Sequence, residues 1–213
     1  EPLAVGPGDH TYVVERKGEL RFRTYTLDDR KTSERDMLLL EKVLSMDYAP
    51  DGRTMVLSGV REGRTDLYLF NVLANRSDPL TDDPWDDLEP RFVDGGRRVI
   101  FSSDRLDDTL RMEKDVIPRR GPKDIFLLDL DRRGRVLTRL TATESISESQ
   151  PHQLDRASYT YLSDLDGVAN RFRVRYDSAI SYIDTAVHYR YFTVEQRLTD
   201  LKRGLLEQHV RSD

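Results

Sequence analysis

A turn followed by a strand occurs in this chain more than once, and in the same register. The segment APDGRTMVLSG at residues 49–59 aligns without a gap with VDGGRRVIFSS at residues 93–103, so that Gly52 falls on Gly96. Glycine in such turns takes a positive φ at no steric cost, and the β-branched and apolar residues that follow predict a strand. Because each copy must fold in the same way, this repeat constrains the fold more than any single motif does.

The repeat extends to a further strand and to further copies. TDLYLFNVL at residues 65–73 matches KDIFLLDLD at residues 123–131, and each is followed by a polar turn and a Leu-Thr pair. A third copy at residues 154–174 aligns with the first at an offset of about 105, although it lacks the Pro and the Gly of the turn. A weaker copy with the same order of strand, charged turn and strand occupies residues 11–27.

Units of about 43 residues with three or four strands each are typical of the blades of a β-propeller. One small sheet cannot bury both of its faces, so neighbouring blades must pack face to face, which explains why the pattern repeats. A β-sandwich is the structural alternative, but nothing in it requires the same turn at a fixed register. The sequence therefore predicts an all-β fold, a β-propeller, with blades at approximately residues 1–40, 41–81, 82–141 and 142–193.

Two segments depart from the repeat. Residues 194–213 place Leu198, Leu201 and Leu205 at spacings of three and four, which predicts a C-terminal amphipathic helix or the start of a following module. The third unit is longer than the others, and its excess, residues 105–122, is charged and ends in Gly and Pro. We expect this excess to be a loop inserted between two strands of one blade.

The composition argues against several classes of function. The net charge is -5 over 213 residues, and acidic residues alternate with Lys and Arg, so no basic face for a nucleic acid is evident. No apolar run is long enough to cross a membrane, and the lack of cysteine removes disulfides, thiolate metal sites and cysteine nucleophiles. The first residues, Glu1-Pro2, fit a mature or excised segment of a longer protein.

The segment LTDDPWDDLEPRFVDGGRRVIFSSDR at residues 80–105 resembles a blade of the TolB-type propellers. The pattern of that family runs through Leu-Thr, a loop, Pro, an aromatic and a polar residue, a Pro-Asp-Gly turn, a strand and Ser-Asp-Arg. The resemblance covers roughly residues 40–175. The residues that match the pattern are Leu80, Thr81, Pro90, Phe92, Gly95, Gly96, Ser103, Asp104 and Arg105.

The resemblance implies a fold and a class of function. Blades of this type serve periplasmic Tol-complex proteins, peptidase domains and many scaffolds, so the fold alone is weak evidence of function. It implies a non-enzymatic scaffold in the bacterial periplasm or at the outer membrane, which binds a protein partner through rim loops and the axial mouth. Four units are fewer than are typical of the family, so we expect the chain to be part of a larger propeller, completed by further blades or domains of the same parent protein.

The sequence contains no recognisable catalytic motif. His10, His152, His188 and His209 are not at ligand spacing, and neither His-Glu-x-x-His nor Gly-x-Ser-x-Gly occurs. We therefore expect no enzyme activity and no cofactor. Two alternatives stay open: the propeller that gates a serine peptidase whose catalytic module lies outside this chain, and a glycan-binding propeller, which needs aromatic residues clustered at one mouth.

One acidic segment is the candidate binding site. TDDPWDDLEP places Asp82, Asp83, Asp86 and Asp87 around Trp85 in a loop that connects two blades. Carboxylate oxygens suit Ca²⁺, and their charges suit a basic partner surface. The segment lacks the spacing and the central glycine of a calcium loop, so the structural alternative is a solvated loop whose aspartates cap turns while Trp85 packs on the neighbouring blade.

Two further groups of charged residues lie in the insertion and in the SSDR segment. Arg111, Arg119 and Arg120 in the insertion predict that a partner is acidic where it meets them. Asp104 and Arg105 in the SSDR segment admit a ligand-binding patch, but we expect them to pair across blades and to fasten the turn.

Overall fold

The chain is built from four antiparallel sheets of four strands each. The computed structural model describes residues 3–6, 9–16, 19–37, 39–110, 121–131 and 136–210. Within these ranges each sheet follows the order of its strands along the chain, which confirms the predicted all-β fold of repeated small sheets. In the same ranges, no helix combines the length and the apolar character that crossing a membrane requires.

Each sheet is one blade. Blade one contains β1 (Leu3–Val5), β2 (Asp9–Arg16), β3 (Glu19–Thr26) and β4 (Lys31–Asp36). Blade two contains β5 (Lys42–Tyr48), β6 (Thr54–Arg61), β7 (Arg64–Asn71) and β8 (Arg76–Pro79). Blade three contains β9 (Asp87–Val93), β10 (Arg98–Ser103), β11 (Asp124–Asp129) and β12 (Val136–Arg139). Blade four contains β13 (Glu148–Gln153), β14 (Ser158–Ser163), β15 (Asn170–Ile183) and β16 (Val187–Arg197).

Apolar side chains fill the space between each pair of neighbouring blades. Along β6, Met55 and Leu57 face blade one and Val56 faces blade three, since successive residues of a strand point to opposite faces. The inner blades are therefore apolar on both faces, which is why their strands lack a polar side. The largest side chains of the three cores are Phe22, Tyr48, Tyr68 and Phe70 between blades one and two, Phe101 and Phe126 between two and three, and Tyr159, Tyr161 and Phe172 between three and four.

The turn glycines have the predicted conformation. Gly52 has a φ of 64° and Gly96 a φ of 89°, at equivalent turns between the first two strands of blades two and three. A Cβ atom on Gly96 would lie 3.1 Å from Cδ of Pro50, the proline of the turn in the preceding blade. These two positions therefore need glycine for the backbone conformation, and Gly96 also needs it for space.

The copy at residues 154–174, which lies in blade four, is shifted by one residue from the alignment of the sequence. An offset of 105 pairs Leu67 with Phe172. In the structure, however, the N–H groups of Leu67 and Arg171 are the equivalent ones, because they donate to the hydroxyl oxygens of Thr81 and Thr199 respectively. The offset is therefore 171 minus 67, or 104. A shift of one residue moves every side chain of a strand to the other face, so the difference decides which residues form the core.

The predicted C-terminal helix is wrong as far as residue 210, where the described chain ends. Residues 194–197 belong to β16, and no helix follows in residues 198–210. Leu198 closes the blade instead, since its N–H donates to the carbonyl of Arg171. Leu205 then donates its N–H to the carbonyl of Ala169, so the chain runs across blade four.

Two extensions leave the regular sheets. The predicted insertion lies between β10 and β11 of blade three, and its residues 111–120 are outside the described ranges. The second extension is an arm, residues 176–193, formed where β15 and β16 continue past their blade. The neighbouring strand β14 pairs with β15 only as far as Arg175, so the arm is a two-stranded ribbon.

Candidate functional site

The acidic loop of residues 80–86 joins blade two to blade three at one end of the sheets, which we call the loop end. Because the strands of each sheet alternate in direction, the same end carries the connections from β6 to β7, from β10 to β11 and from β14 to β15. The predicted site therefore lies beside the connection that contains the insertion.

A buried arginine organises this loop. Nη2 of Arg105 donates to both carboxylate oxygens of Asp87 at 2.7 and 2.6 Å, and its Nη1 lies 3.1 Å from Oδ2 of Asp83. The side chain of Arg105 is only 1% exposed, and its guanidinium carbon lies 5.6 and 5.7 Å from the ring centres of Phe101 and Phe126. Paired with two carboxylates and packed on two rings, this charge is held within the protein rather than offered to solvent.

Asp66 of β7 adds a third carboxylate to this cluster. Its Oδ1 accepts the N–H of Asp83 at 3.2 Å, and one oxygen from each of Asp66, Asp83 and Asp87 lies within 4.8 Å of the others. Burial, reinforced by the charges of Asp87 and Asp83, raises the pKa of Asp66 to about 7. Burial and the charge of Asp87 also raise the pKa of Asp83, to about 6, against the attraction of Arg105.

The four predicted aspartates do not form one ligand set. Asp83 and Asp87 point inward to Arg105, whereas Asp82 pairs with Arg64 at 3.0 Å. Since the guanidinium already supplies a positive charge beside the carboxylates, a cation would have to displace it. A calcium site therefore stays a prediction from the sequence. The carboxylates that lie together are those of Asp66, Asp83 and Asp87, and Asp66 was not among the residues that the prediction used.

The structural alternative is wrong in part, because Asp83 and Asp87 are 2% and 0% exposed and are not solvated. Asp83 does cap the turn as that alternative expects, since its Oδ1 accepts the N–H of Trp85 at 3.1 Å. The burial of Asp83 and Asp87 follows from Arg105, which needs two counter-charges inside the protein. Trp85 is half-buried, and Asp82 is exposed. Accordingly, the part of the loop available to a partner is formed by Asp82, Trp85 and Asp86, while the residues Arg111, Arg119 and Arg120 lie outside the described ranges.

Asp104 and Arg105 fasten this loop separately. Oδ1 of Asp104 accepts the N–H of Asp86 at 2.8 Å, whereas Arg105 bonds to Asp83 and Asp87. Both residues thus hold the connection between blades two and three. They do so through the loop and not by pairing with each other, which differs in detail from the expected pair.

A second set of contacts, not predicted from the sequence, joins the first strands of successive blades through side-chain to backbone hydrogen bonds. Oδ2 of Asp47 in β5 accepts the N–H of Phe92 in β9 at 2.9 Å. Oε2 of Glu89 in β9 accepts the N–H of Gln150 in β13 at 2.6 Å. Oε1 of Gln150 in turn accepts the N–H of Gln208 at 2.8 Å, so the chain after blade four bonds to β13 as β13 bonds to β9. The partners are 45 to 61 residues apart, and sequence spacing gave no signal of them.

The structure also brings together two of the histidines. The rings of His152 and His209 lie 5.8 Å apart, edge to face, at a cavity of about 210 Å³ that Asp47 and Arg91 also line. Burial, with the positive charge of Arg91, lowers the pKa of His152 to about 4, so this imidazole is neutral at physiological pH.

Comparison with known proteins gives likenesses to propellers. No family model matches the sequence. The Tol-Pal system protein TolB of Wolinella succinogenes is 30% identical over 97 residues, which are 46% of this chain and 22% of that protein. The structure of TolB from Acinetobacter baumannii matches with a TM-score of 0.60 at 16% identity, over 81% of this chain and 40% of that chain.

Two further structures match. One, described as a TolB of Agrobacterium tumefaciens, has a TM-score of 0.61 at 20% identity, over 82% of this chain and 57% of that chain. The other is puromycin hydrolase, with a TM-score of 0.53 at 9% identity, over 80% of this chain and 26% of that chain. The present chain thus spans 22% of the curated relative and 57% or less of each of these solved chains.

The four packed sheets and these likenesses define a β-propeller. Its blades are TolB-like, which confirms the resemblance of the sequence at residues 80–105.

Proposed function

We propose that this chain is a non-enzymatic, protein-binding propeller of the bacterial periplasm or outer membrane, and that its loop end binds the partner. The observation that carries the proposal is the TolB-like blade architecture, together with the 30% identity to a protein of the Tol-Pal system. The likeness to puromycin hydrolase, at 9% identity, concerns the fold and does not favour a peptidase gate. The exposed aromatic residues of the described chain concentrate on the arm, away from the loop end, so they do not favour a glycan site at that mouth.

The partner surface that we propose consists of Asp82, Trp85 and Asp86. The buried pairs of Arg105 with Asp83 and Asp87 hold the backbone beneath it, so the three side chains are presented from a fixed loop. Half-buried aromatic residues beside charges are common at the centres of protein interfaces. Because the loop carries acidic groups, we propose a basic surface on the partner.

Binding to purified Tol and Pal proteins tests the proposal. We expect the triple variant Asp82→Asn, Trp85→Ala, Asp86→Asn to weaken binding at least about tenfold, since a central aromatic residue and two charges are removed. Leu73→Ser is the matched control, because Leu73 is 71% exposed in the connection from β7 to β8, at the other end of the sheets. Biolayer interferometry measures both.

Two results would contradict the proposal. The first is unchanged binding by the triple variant, which would move the interface away from the loop end. The second is hydrolysis of ester or peptide substrates by the purified chain that is lost when one serine or histidine is replaced, which would make the protein an enzyme.

A further inference from the structure

The arm exposes an apolar stripe along one of its faces. Opposite residues of β15 and β16 share a face, and the pairs Ile180 with Tyr189 and Ile183 with Val187 lie on the same one, because a bulge after Ile180 restores the alternation. The stripe consists of Tyr176, Ile180, Ile183, Val187, Tyr189 and Tyr191, which are 44%, 58%, 67%, 44%, 53% and 60% exposed.

The two faces of the arm differ in charge. The stripe contains no charged residue, and the small polar residues beside it are Ser178 and Thr193. The opposite face carries the charged residues Asp177 and Arg190 beside the aromatic residues Phe192, Tyr182 and His188, and Arg190 lies over the ring of Phe192 at 5.9 Å. The charges of the paired part of the arm thus lie on one face only, and the uncharged face is the one better suited to packing on a partner.

Nothing in the described chain covers the outer part of the stripe. At its base, Tyr176 and Tyr191 stack at 5.7 Å and line a cavity of about 360 Å³ together with residues of blade three, among them Leu127 and Val136. Beyond that base, no third strand of the described chain pairs with β15 or β16. A two-stranded ribbon alone is marginally stable in water, and exposed apolar patches of several hundred Å² mark interaction sites.

We propose that the stripe packs against the stripe of a second copy of this chain, so that two arms form a small sandwich about a two-fold axis. A surface without charge can meet its own copy without like-charge repulsion, although the whole chain carries a net charge of -5. Each tyrosine, about half exposed, offers roughly 100 Å² for burial, so six side chains from each copy remove on the order of 1,000 Å². That is the lower limit for a specific interface, which predicts a dimer of micromolar or weaker affinity.

The arm points away from the loop end, since the connection of β14 to β15 lies at the loop end and the tip of the arm at the other. A dimer through the arms would therefore leave both loop ends free. The inference does not depend on the proposed function, because one concerns a second copy of this chain at the arm and the other a different protein at the loop end.

Sedimentation velocity between roughly 1 and 200 μM tests the dimer. We expect the sedimentation coefficient to rise with concentration to that of a dimer, and the double variant Ile180→Ser, Tyr189→Ser to shift the midpoint at least about tenfold higher, since both residues lie at the centre of the stripe. Leu73→Ser is the control, because it removes an exposed leucine elsewhere and should leave the midpoint unchanged. Circular dichroism melting shows whether each variant is folded.

Cross-linking adds a test of the geometry. The chain has no cysteine, so single cysteines report on one position each. Ser178→Cys lies on the stripe face and Ala179→Cys on the opposite face. We expect a bismaleimide with a spacer of about 10 Å, the distance between packed sheets, to link the first variant into dimers and the second not. A monomer at every concentration, equal linking of both variants, or a dimer that the double variant leaves intact would overturn the proposal.

Discussion

At the scale of single residues, the molecule holds an unusual charge balance at the loop end. One guanidinium, Arg105, faces the carboxylates of Asp66, Asp83 and Asp87 in a buried space. One positive charge cannot compensate three negative ones without solvent, so at least one carboxylate is easier to protonate than usual. Burial, together with the charges of Asp87 and Asp83, raises the pKa of Asp66 to about 7.

We predict that Asp66→Asn removes part of the pH dependence of stability. In the folded chain Asp66 keeps its proton up to about pH 7, whereas in the unfolded chain it ionises near 3.8. Folding therefore takes up a proton between these two pH values. The stability that the protonated Asp66 contributes is complete below about pH 4 and is lost as the pH rises through 7. From pH 5 to pH 8, the melting temperature of the wild type should fall by several degrees relative to that of the variant. Calorimetry measures this difference.

The chain supplies a precedent for this variant and a control for it. In blade four, Asn170 stands at the place of Asp66, and its Oδ1 accepts the N–H of Leu201 at 2.8 Å as Asp66 accepts that of Asp83. An amide thus serves the same hydrogen bond. Asp108→Asn, in an exposed loop, should leave the pH profile unchanged, and a constant difference between Asp66→Asn and the wild type at every pH would refute the prediction.

At the scale of elements, a threonine closes each of three blades. Oγ1 of Thr81 accepts the N–H of Leu67 at 2.9 Å, and Oγ1 of Thr141 accepts that of Ile125 at 2.8 Å. In blade four, Thr199 does the same for Arg171. The hydroxyl supplies the bond that a further strand would otherwise make, at the point where the chain leaves one blade for the next.

We predict that Thr81→Val destabilises the protein by about 1–3 kcal/mol, because the buried N–H of Leu67 loses its acceptor while the volume of the side chain is kept. Thr81→Ser, which retains the hydroxyl, should cost less. Urea unfolding followed by tryptophan fluorescence measures both, since Trp85 lies four residues away. Equal midpoints for the valine and serine variants would show that the hydroxyl does not hold the blade.

At the scale of the whole molecule, the described chain buries its apolar side chains in three cores between blades, and the described start of the insertion reaches one of them. Leu110 packs against the core between blades two and three. The carbonyl of Thr109 also accepts a bond from Arg105. The first residues of the insertion thus belong to the blade, and a loop excision should begin after them.

We predict that replacing residues 111–120 by a short Gly-Ser linker changes the free energy of unfolding by no more than about 1 kcal/mol, since the entropy of closing a loop varies slowly with its length. Leu110→Ser should cost more than the excision, because it removes apolar contact from a core. Thermal melting compares the two. Unfolding on excision alone would mean that residues 111–120 contribute to the blade.

The sequence by itself determined the repeated unit, because turn chemistry and strand alternation are local. Gly52 and Gly96 are set by their own backbone conformation, and the sheets follow from the periodicity of the apolar residues. The helix predicted from the spacing of Leu198, Leu201 and Leu205 was wrong, since backbone contacts with Arg171 and Ala169 hold that segment in extended form. Local spacing predicts a helix only where no tertiary contact competes.

Only the tertiary structure decided which polar residues meet. Asp66 precedes Asp83 by seventeen residues and Arg105 follows it by twenty-two, so their cluster exists only once two blades pack together. The hydrogen bond from the N–H of Arg171 to Thr199 likewise decided which residues of blade four face the core. A gapless alignment of the sequence could not assign these faces, because it was wrong by one residue. Burial and charge pairing depend on distances between segments, and the sequence does not contain those distances.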